Sequence, residues 1–178
     1  IGIDPGIQIT GWGIVSSKNS KLVHHNHGII KTNSSDSDNV RLYNIYFELL
    51  EVIKENKPDV AIVEKIFVAK NPKSALKLGM ARGIAILVCG ITNVEVREIS
   101  PRKVKKVITG SGNAEKTQVV GMISNLLSIE KTSKDASDAL GMAIGGLHGG
   151  FDNFYDFKKA DDNKLSQAIN IALKKQYL

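Results

Sequence analysis

The order of hydrophobic periodicities predicts an α/β fold in which helices pack on a mixed sheet. Three observations carry that expectation. Short apolar runs of strand character fill residues 1–5, 9–16 and 21–31 before any helical pattern begins. Apolar side chains at helical spacing then follow at Leu42, Ile45, Leu49, Val52 and Ile53. From there strands and helices alternate, and the whole chain reads βββαβαβααα. With 178 residues, 42% of them hydrophobic, the chain has the core of one domain.

The first strand is short and buried and runs into Asp4-Pro5-Gly6. The next two are joined by a Ser-Lys-Asn-Ser turn and form a hairpin. "TNSSDSDN" is a loop, with Asp38 or Asn39 as the expected cap of a helix over 40–55. Pro58 closes that helix's extension, and "DVAIVE" reads as a buried strand ending on Glu64. "KIFVAKNPK" is a loop with a proline stop, followed by a long helix over 74–89. "VEVREI" alternates as a strand. Ser100-Pro101 is a strong helix start, because proline in the first turn loses no needed N–H. Further helices are expected over 114–127 and 134–148. No repeat or linker interrupts residues 1–148, which form the expected domain; 149–178 form an accessory tail. In that tail an aromatic and acidic "FDNFYDF" precedes an amphipathic helical stripe of Leu165, Ala168, Ile169, Ala172 and Leu173. The stripe would dock on the domain or on a partner chain.

A net charge of +6 favours an acidic partner such as nucleic acid. The cations cluster: Arg102, Lys103, Lys105 and Lys106 in "SPRKVKK", and Lys65, Lys70, Lys73, Lys77 and Arg82 earlier. The single cysteine, Cys89, cannot form an internal disulfide and suits a reducing compartment. The longest uncharged stretch, 83–94, is too short to cross a bilayer, and no export signal is visible, so a cytoplasmic protein with no membrane association is expected. The chain begins without Met, consistent with a few residues upstream.

Asp4 and Glu64 both end buried apolar strands. If those strands are parallel neighbours, both carboxylates open on the sheet edge where α/β proteins hold ligands. Asp135 and Asp138 share one face of the last helix. Each feature has an ordinary reading: Asp-Pro-Gly is a common turn, a glutamate after a strand is usually solvated, and acids in a first helical turn favour the helix dipole. Together they point elsewhere, because two like charges ~4 Å apart repel by about 4 kcal/mol at an effective dielectric near 20. A converging cluster therefore needs protons or cations. Oxygen donors without His or Cys nearby suit Mg²⁺ or Mn²⁺, and two such ions roughly 3.5–4 Å apart can support phosphodiester cleavage.

The stretches "GIDPGIQITGWGIV", "AIVEKIFVAKNPKSALKLGMARGIAI", "ISPRKVKKVITGSGNAEKTQV" and "DASDALGMAI" together resemble the RuvC family of bacterial Holliday junction resolvases, in the family's order and spacing. The resemblance implies an RNase H-like fold with a mixed five-stranded sheet of order 3-2-1-4-5 and helices on both faces. It implies that Asp4, Glu64, Asp135 and Asp138 form the metal-binding quartet, holding Mg²⁺ (Mn²⁺ as substitute), two ions per site. Some family members carry His where this chain has Asp138. Lys116 would support the cleaved phosphate, Lys105 would contact DNA near the scissile strand, and Phe67 would wedge against bases at the junction centre. Lys70, Asn71, Arg82 and Lys106 fall with them on the expected DNA surface, although Arg82 and the small residues of "GMARGIA" also read as helix-packing or dimer-face groups. The implied partners are four-way junction DNA, a second copy in a homodimer, and a branch-migration motor (RuvA and RuvB). Gly6 is expected to keep side-chain bulk out of the mouth of the site. The alternating histidines of "HHNH" read as an exposed strand face rather than a metal site.

Three other readings compete. "DPGIQITGWGIV" also resembles the first phosphate loop of sugar kinases and actin-like ATPases, but those need two large lobes. Another RNase H-like nuclease, acting on RNA/DNA hybrids or ribosomal RNA, shares the fold. A junction-binding protein that does not cleave would share the basic surface, but would not need a complete set of carboxylates.

Overall fold

The computed structural model describes residues 1–65, 71–130 and 132–150, and the backbone of a short strand at Asn153–Tyr155. The elements are β1 (Gly2–Asp4), β2 (Ile9–Lys18), β3 (Lys21–Lys31), α1 (Asp38–Asn56), β4 (Val60–Glu64), α2 (Pro72–Ile91), β5 (Glu95–Ile99), α3 (Pro101–Thr109), α4 (Lys116–Leu127), α5 (Lys134–Leu147) and β6 (Asn153–Tyr155). The sheet order is β3-β2-β1-β4-β5-β6. β1 and β3 pair antiparallel with β2, β1-β4 and β4-β5 are parallel, and β6 pairs antiparallel with β5.

The expected 3-2-1-4-5 order is therefore present, with one addition. The expected sheet had five strands, and residues 153–155 extend it by a sixth along the outer edge of β5. That segment reads as aromatic and acidic rather than as a strand because it is too short to show a period. The amphipathic stripe at 165–173 lies outside the described residues.

Helices cover both faces. On one, Ile45, Leu49 and Ile53 of α1 and Ala81, Ala85 and Val88 of α2 bury against Ile3, Val63 and Val96. On the other, Ile108 of α3, Val119 and Ile123 of α4 and Leu140 and Ile144 of α5 gather around Val15, and Met142 packs with Ile62 and Ile99. Cys89 is buried in the first core. The helix starts follow local chemistry, with one revision. α1 begins after Ser37, and Asp38 lies in the first turn rather than capping it. Asn71 caps α2, accepting from the N–H groups of Lys73 and Ser74, and Pro101 opens α3.

The histidines depart from simple alternation. The β2-β3 register shifts between Ile14 and Val15, pairing them with Asn26 and His24, so His25 is the extra residue of a bulge. His24 and His27 then fall on one face, their rings joined by a 2.8 Å hydrogen bond, and His25 meets the Ser16 hydroxyl at 2.7 Å.

Candidate active site at the ends of β1 and β4

Asp4 is the last residue of β1, and the chain turns away through Pro5 and Gly6. Thr10, fully buried, locks that turn: its hydroxyl donates to the Gly6 carbonyl at 2.9 Å and accepts from the Gly6 N–H at 3.3 Å. A Cβ at Gly6 would run into the carbonyl of Ile9. Glycine is therefore needed there by the turn itself. Glu64 ends β4, and because β1 and β4 are adjacent and parallel the two carboxylates leave the sheet at the same edge.

The third element is α5. Ser133 caps it, accepting from the Ala136 N–H, and Asp135 and Asp138 occupy its opening turns. The helix lies directly on β1 and β2, and glycines permit this: a Cβ at Gly2 would strike the Ala139 carbonyl, and one at Gly11 the Asp135 carbonyl. Gly11 is the register partner of Asp4. The close approach therefore sets the start of α5 beside the end of β1.

α4 contributes the cation. A reciprocal capping box between Glu115 and Gln118 fixes its start, and Lys116 opens its first turn. The Lys116 ammonium lies 2.5 Å from Oδ2 of Asp138. Asp4, Glu64 and Asp138, with Lys105 of α3 and Lys116, line one cleft of about 290 Å³ floored by Val104, Ile123 and Met142. A larger cavity of about 670 Å³ lies near the chain start, among Glu55, Lys57, Asp59 and Arg97; its mixed charges lack a converging acidic set.

Charge and burial act together in the smaller cleft. Burial, then the charges of Glu64, Asp138 and Asp135, push the Asp4 carboxyl up to about 7, with Lys116 opposing. Burial and Asp138 also raise Glu64, again against Lys116. Asp135 thus acts on Asp4 electrostatically from one turn before Asp138, although it does not line the cleft. Among the described residues no three His, Cys, Asp or Glu side chains form a ready cage. The donor set still fits a hard divalent cation: its oxygens are all carboxylate, burial makes the charges on Asp4 and Glu64 costly, and Lys116 pairs with Asp138 alone of the four among the described residues.

Lys105 faces the cleft and Lys106 is exposed on α3. The Asn71 carboxamide oxygen is engaged in capping α2. Arg82 lies under β4 and β5, paired with Glu98. Phe67 and Lys70 lie outside the described residues. Glu98 was not among the expected site residues. Its signal was present in "VEVREI", where it shares the inward phase of Val94 and Val96.

Comparisons with known proteins bear on the fold and the family. Residues 1–146 match the family model described as crossover junction endodeoxyribonuclease RuvC. The chain is 43% identical to the crossover junction endodeoxyribonuclease RuvC of Caldicellulosiruptor saccharolyticus over 147 residues, 81% of this chain and 89% of that protein. It is 44% identical to that of Citrifermentans bemidjiense over 149 residues, 83% of this chain and 91% of that protein. Its fold is similar to that of Thermus thermophilus RuvC solved in complex with Holliday junction substrate, with a TM-score of 0.78 and 27% identity, covering 84% of this chain and 95% of that one. The chain belongs to the RuvC family of crossover junction endodeoxyribonucleases.

Proposed function

We propose that this protein resolves four-way (Holliday) DNA junctions in recombination and repair, by paired symmetric nicks in two strands of like polarity. The observation that carries the reading is the cleft itself, where Asp4, Glu64 and Asp138 face one another with Lys105 and Lys116 on the rim. Asp4, Glu64, Asp135 and Asp138 hold divalent cations, Mg²⁺ with Mn²⁺ as a substitute, two per site. Such ions supply Lewis acidity at the phosphodiester and make water more acidic.

The remaining work belongs to side chains. Lys116 meets the charge gathering on the cleaved phosphate, and Lys105 holds the backbone beside it. Lys106, Lys70 and Asn71 extend the DNA surface, and Phe67 stacks against bases at the opened centre, where one contact of this kind is worth ~1–3 kcal/mol. A proton on Asp4 weakens cation binding, so activity rises with pH as this raised carboxyl gives up its proton, and the midpoint of that rise falls as Mg²⁺ is increased.

One side of α2 supports a homodimer. By length and composition alone this helix could cross a membrane, yet Arg82 in its middle is bound to Glu98. Its outer side exposes Leu76, Met80, Leu87 and Ile91, and Cβ atoms at Gly79 and Gly83 would meet nothing within 4 Å. A second copy covers this surface, and two-fold symmetry supplies two equivalent clefts to one junction. The protein acts in the cytoplasm with the branch-migration motor formed by RuvA and RuvB.

The test is to mix the protein with a synthetic four-way junction and Mg²⁺. Paired nicks at symmetric positions are expected. Preferential cleavage of an RNA/DNA hybrid duplex, or binding without nicking, would overturn the assignment.

A further inference from the structure

Glu98 is only 5% exposed. Ile99 packs against α5 at Gly145, so by strand alternation Glu98 faces the opposite side of the sheet, toward α2. Its register partner is Val63, the residue before Glu64. Arg82 reaches up from α2 to meet it: Nη2 pairs with Oε1 of Glu98, and Nε donates to the Glu64 carbonyl at 3.4 Å. Beside this, the Lys65 N–H donates to the Ile99 carbonyl at 2.9 Å, just past the end of β4.

A leucine at position 98 would extend the apolar core at less cost than a buried carboxylate with its arginine. The pair therefore calls for a role other than filling space, and its reach to the Glu64 carbonyl supplies one. We propose that the Arg82–Glu98 pair is a positioning device for Glu64: it grips the end of β4 from the face opposite the cleft and sets the direction in which the Glu64 carboxylate leaves the sheet. Arg82 then serves cleavage without touching DNA. The inference rests on the reading of Glu64 as a metal ligand.

The experiment measures Mn²⁺ binding to the DNA-free protein by calorimetry, junction affinity in EDTA at several salt concentrations, and thermal midpoint, for wild type, R82Q, E98Q, R82K and E64Q. R82Q and E98Q are expected to bind Mn²⁺ about tenfold more weakly, with junction affinity in EDTA unchanged. R82K keeps the buried charge but loses the planar fork, and should bind Mn²⁺ about threefold more weakly. If R82Q and E98Q do not fold, R82K carries the test. Wild-type Mn²⁺ binding in the folded variants, with only the thermal midpoint lowered, overturns the proposal. So does weaker junction binding with a shallower salt dependence, which would make Arg82 a phosphate contact. E64Q separates the two readings: if it binds Mn²⁺ like wild type, the metal-ligand assignment of Glu64 fails, whatever Arg82 does.

Discussion

The Asp4 carboxyl, raised from its ordinary 3.8 to about 7 by burial and by Glu64, Asp138 and Asp135, sets function against folding. A carboxyl whose folded pKa lies above its unfolded value contributes stability that is full below about 3.8 and lost as pH rises through about 7. The cation-free protein should therefore lose stability across that window. Asp4→Asn, which removes the charge and keeps the shape, should stabilise it at pH 8 by about 1–3 kcal/mol, and saturating Mg²⁺ should narrow the gap. Urea titrations at pH 5 and pH 8 check this; a D4N protein less stable than wild type at pH 8 would contradict it. At this scale the sequence was informative where an acid ended an apolar strand, as at Asp4 and Glu64. It was less so where polarity was hidden inside a period. Glu98 stands in phase with Val94 and Val96, but its partner Arg82 belongs to another element, so "VEVREI" alone did not reveal the pair. The turn's own need for Gly6 was not legible, because the collision it avoids, with the Ile9 carbonyl, exists only once the turn is closed.

α5 is the element on which the site depends, and its seat is made of hydrogen atoms where other residues have carbon. Gly11→Ala would drive a methyl group into the Asp135 carbonyl, so the helix must lift from β2. The expected cost is about 1–3 kcal/mol of stability, with Mn²⁺ affinity falling as Asp135 and Asp138 move from Asp4. A denaturant midpoint and a Mn²⁺ titration measure both, and an alanine variant equal to wild type in each would contradict the seat. Element order and type were legible because strand and helix periods alternate cleanly from 40 to 148. Boundaries were less so: α2 begins at Pro72 rather than 74, since Asn71 supplies a cap that the loop composition concealed. The sixth strand escaped because three residues pairing with the free edge of β5 have no period of their own. The bulge at His25 likewise depends on the partner strand, so "HHNH" looked like plain alternation.

For the whole molecule, the sheet puts the cleft at one edge, while α2 offers an apolar side with two open glycines. Leu76 and Leu87 are 61% and 51% exposed, so Leu76→Glu with Leu87→Glu should cost the single subunit little. The double variant should elute at half the wild-type mass by light scattering and lose paired nicking. A variant that keeps the wild-type mass would mean that this surface is not the subunit contact. The sequence showed small residues in "GMARGIA" but not which way they face, because that depends on how α2 rolls against α1.

The central claim is that the acids at the ends of β1 and β4 perform cleavage and do not merely shape a DNA-binding protein. The most direct measurement compares wild type, D4N and E64Q on one synthetic four-way junction, with binding read in EDTA and nicking in Mg²⁺. Phosphate contacts from Lys and Arg carry the affinity, so both variants should bind within about twofold of wild type, or slightly tighter for the lost negative charge. Their nicking rates should fall about a hundredfold or more. Nicking at the wild-type rate, or binding that collapses together with cleavage, would contradict the account.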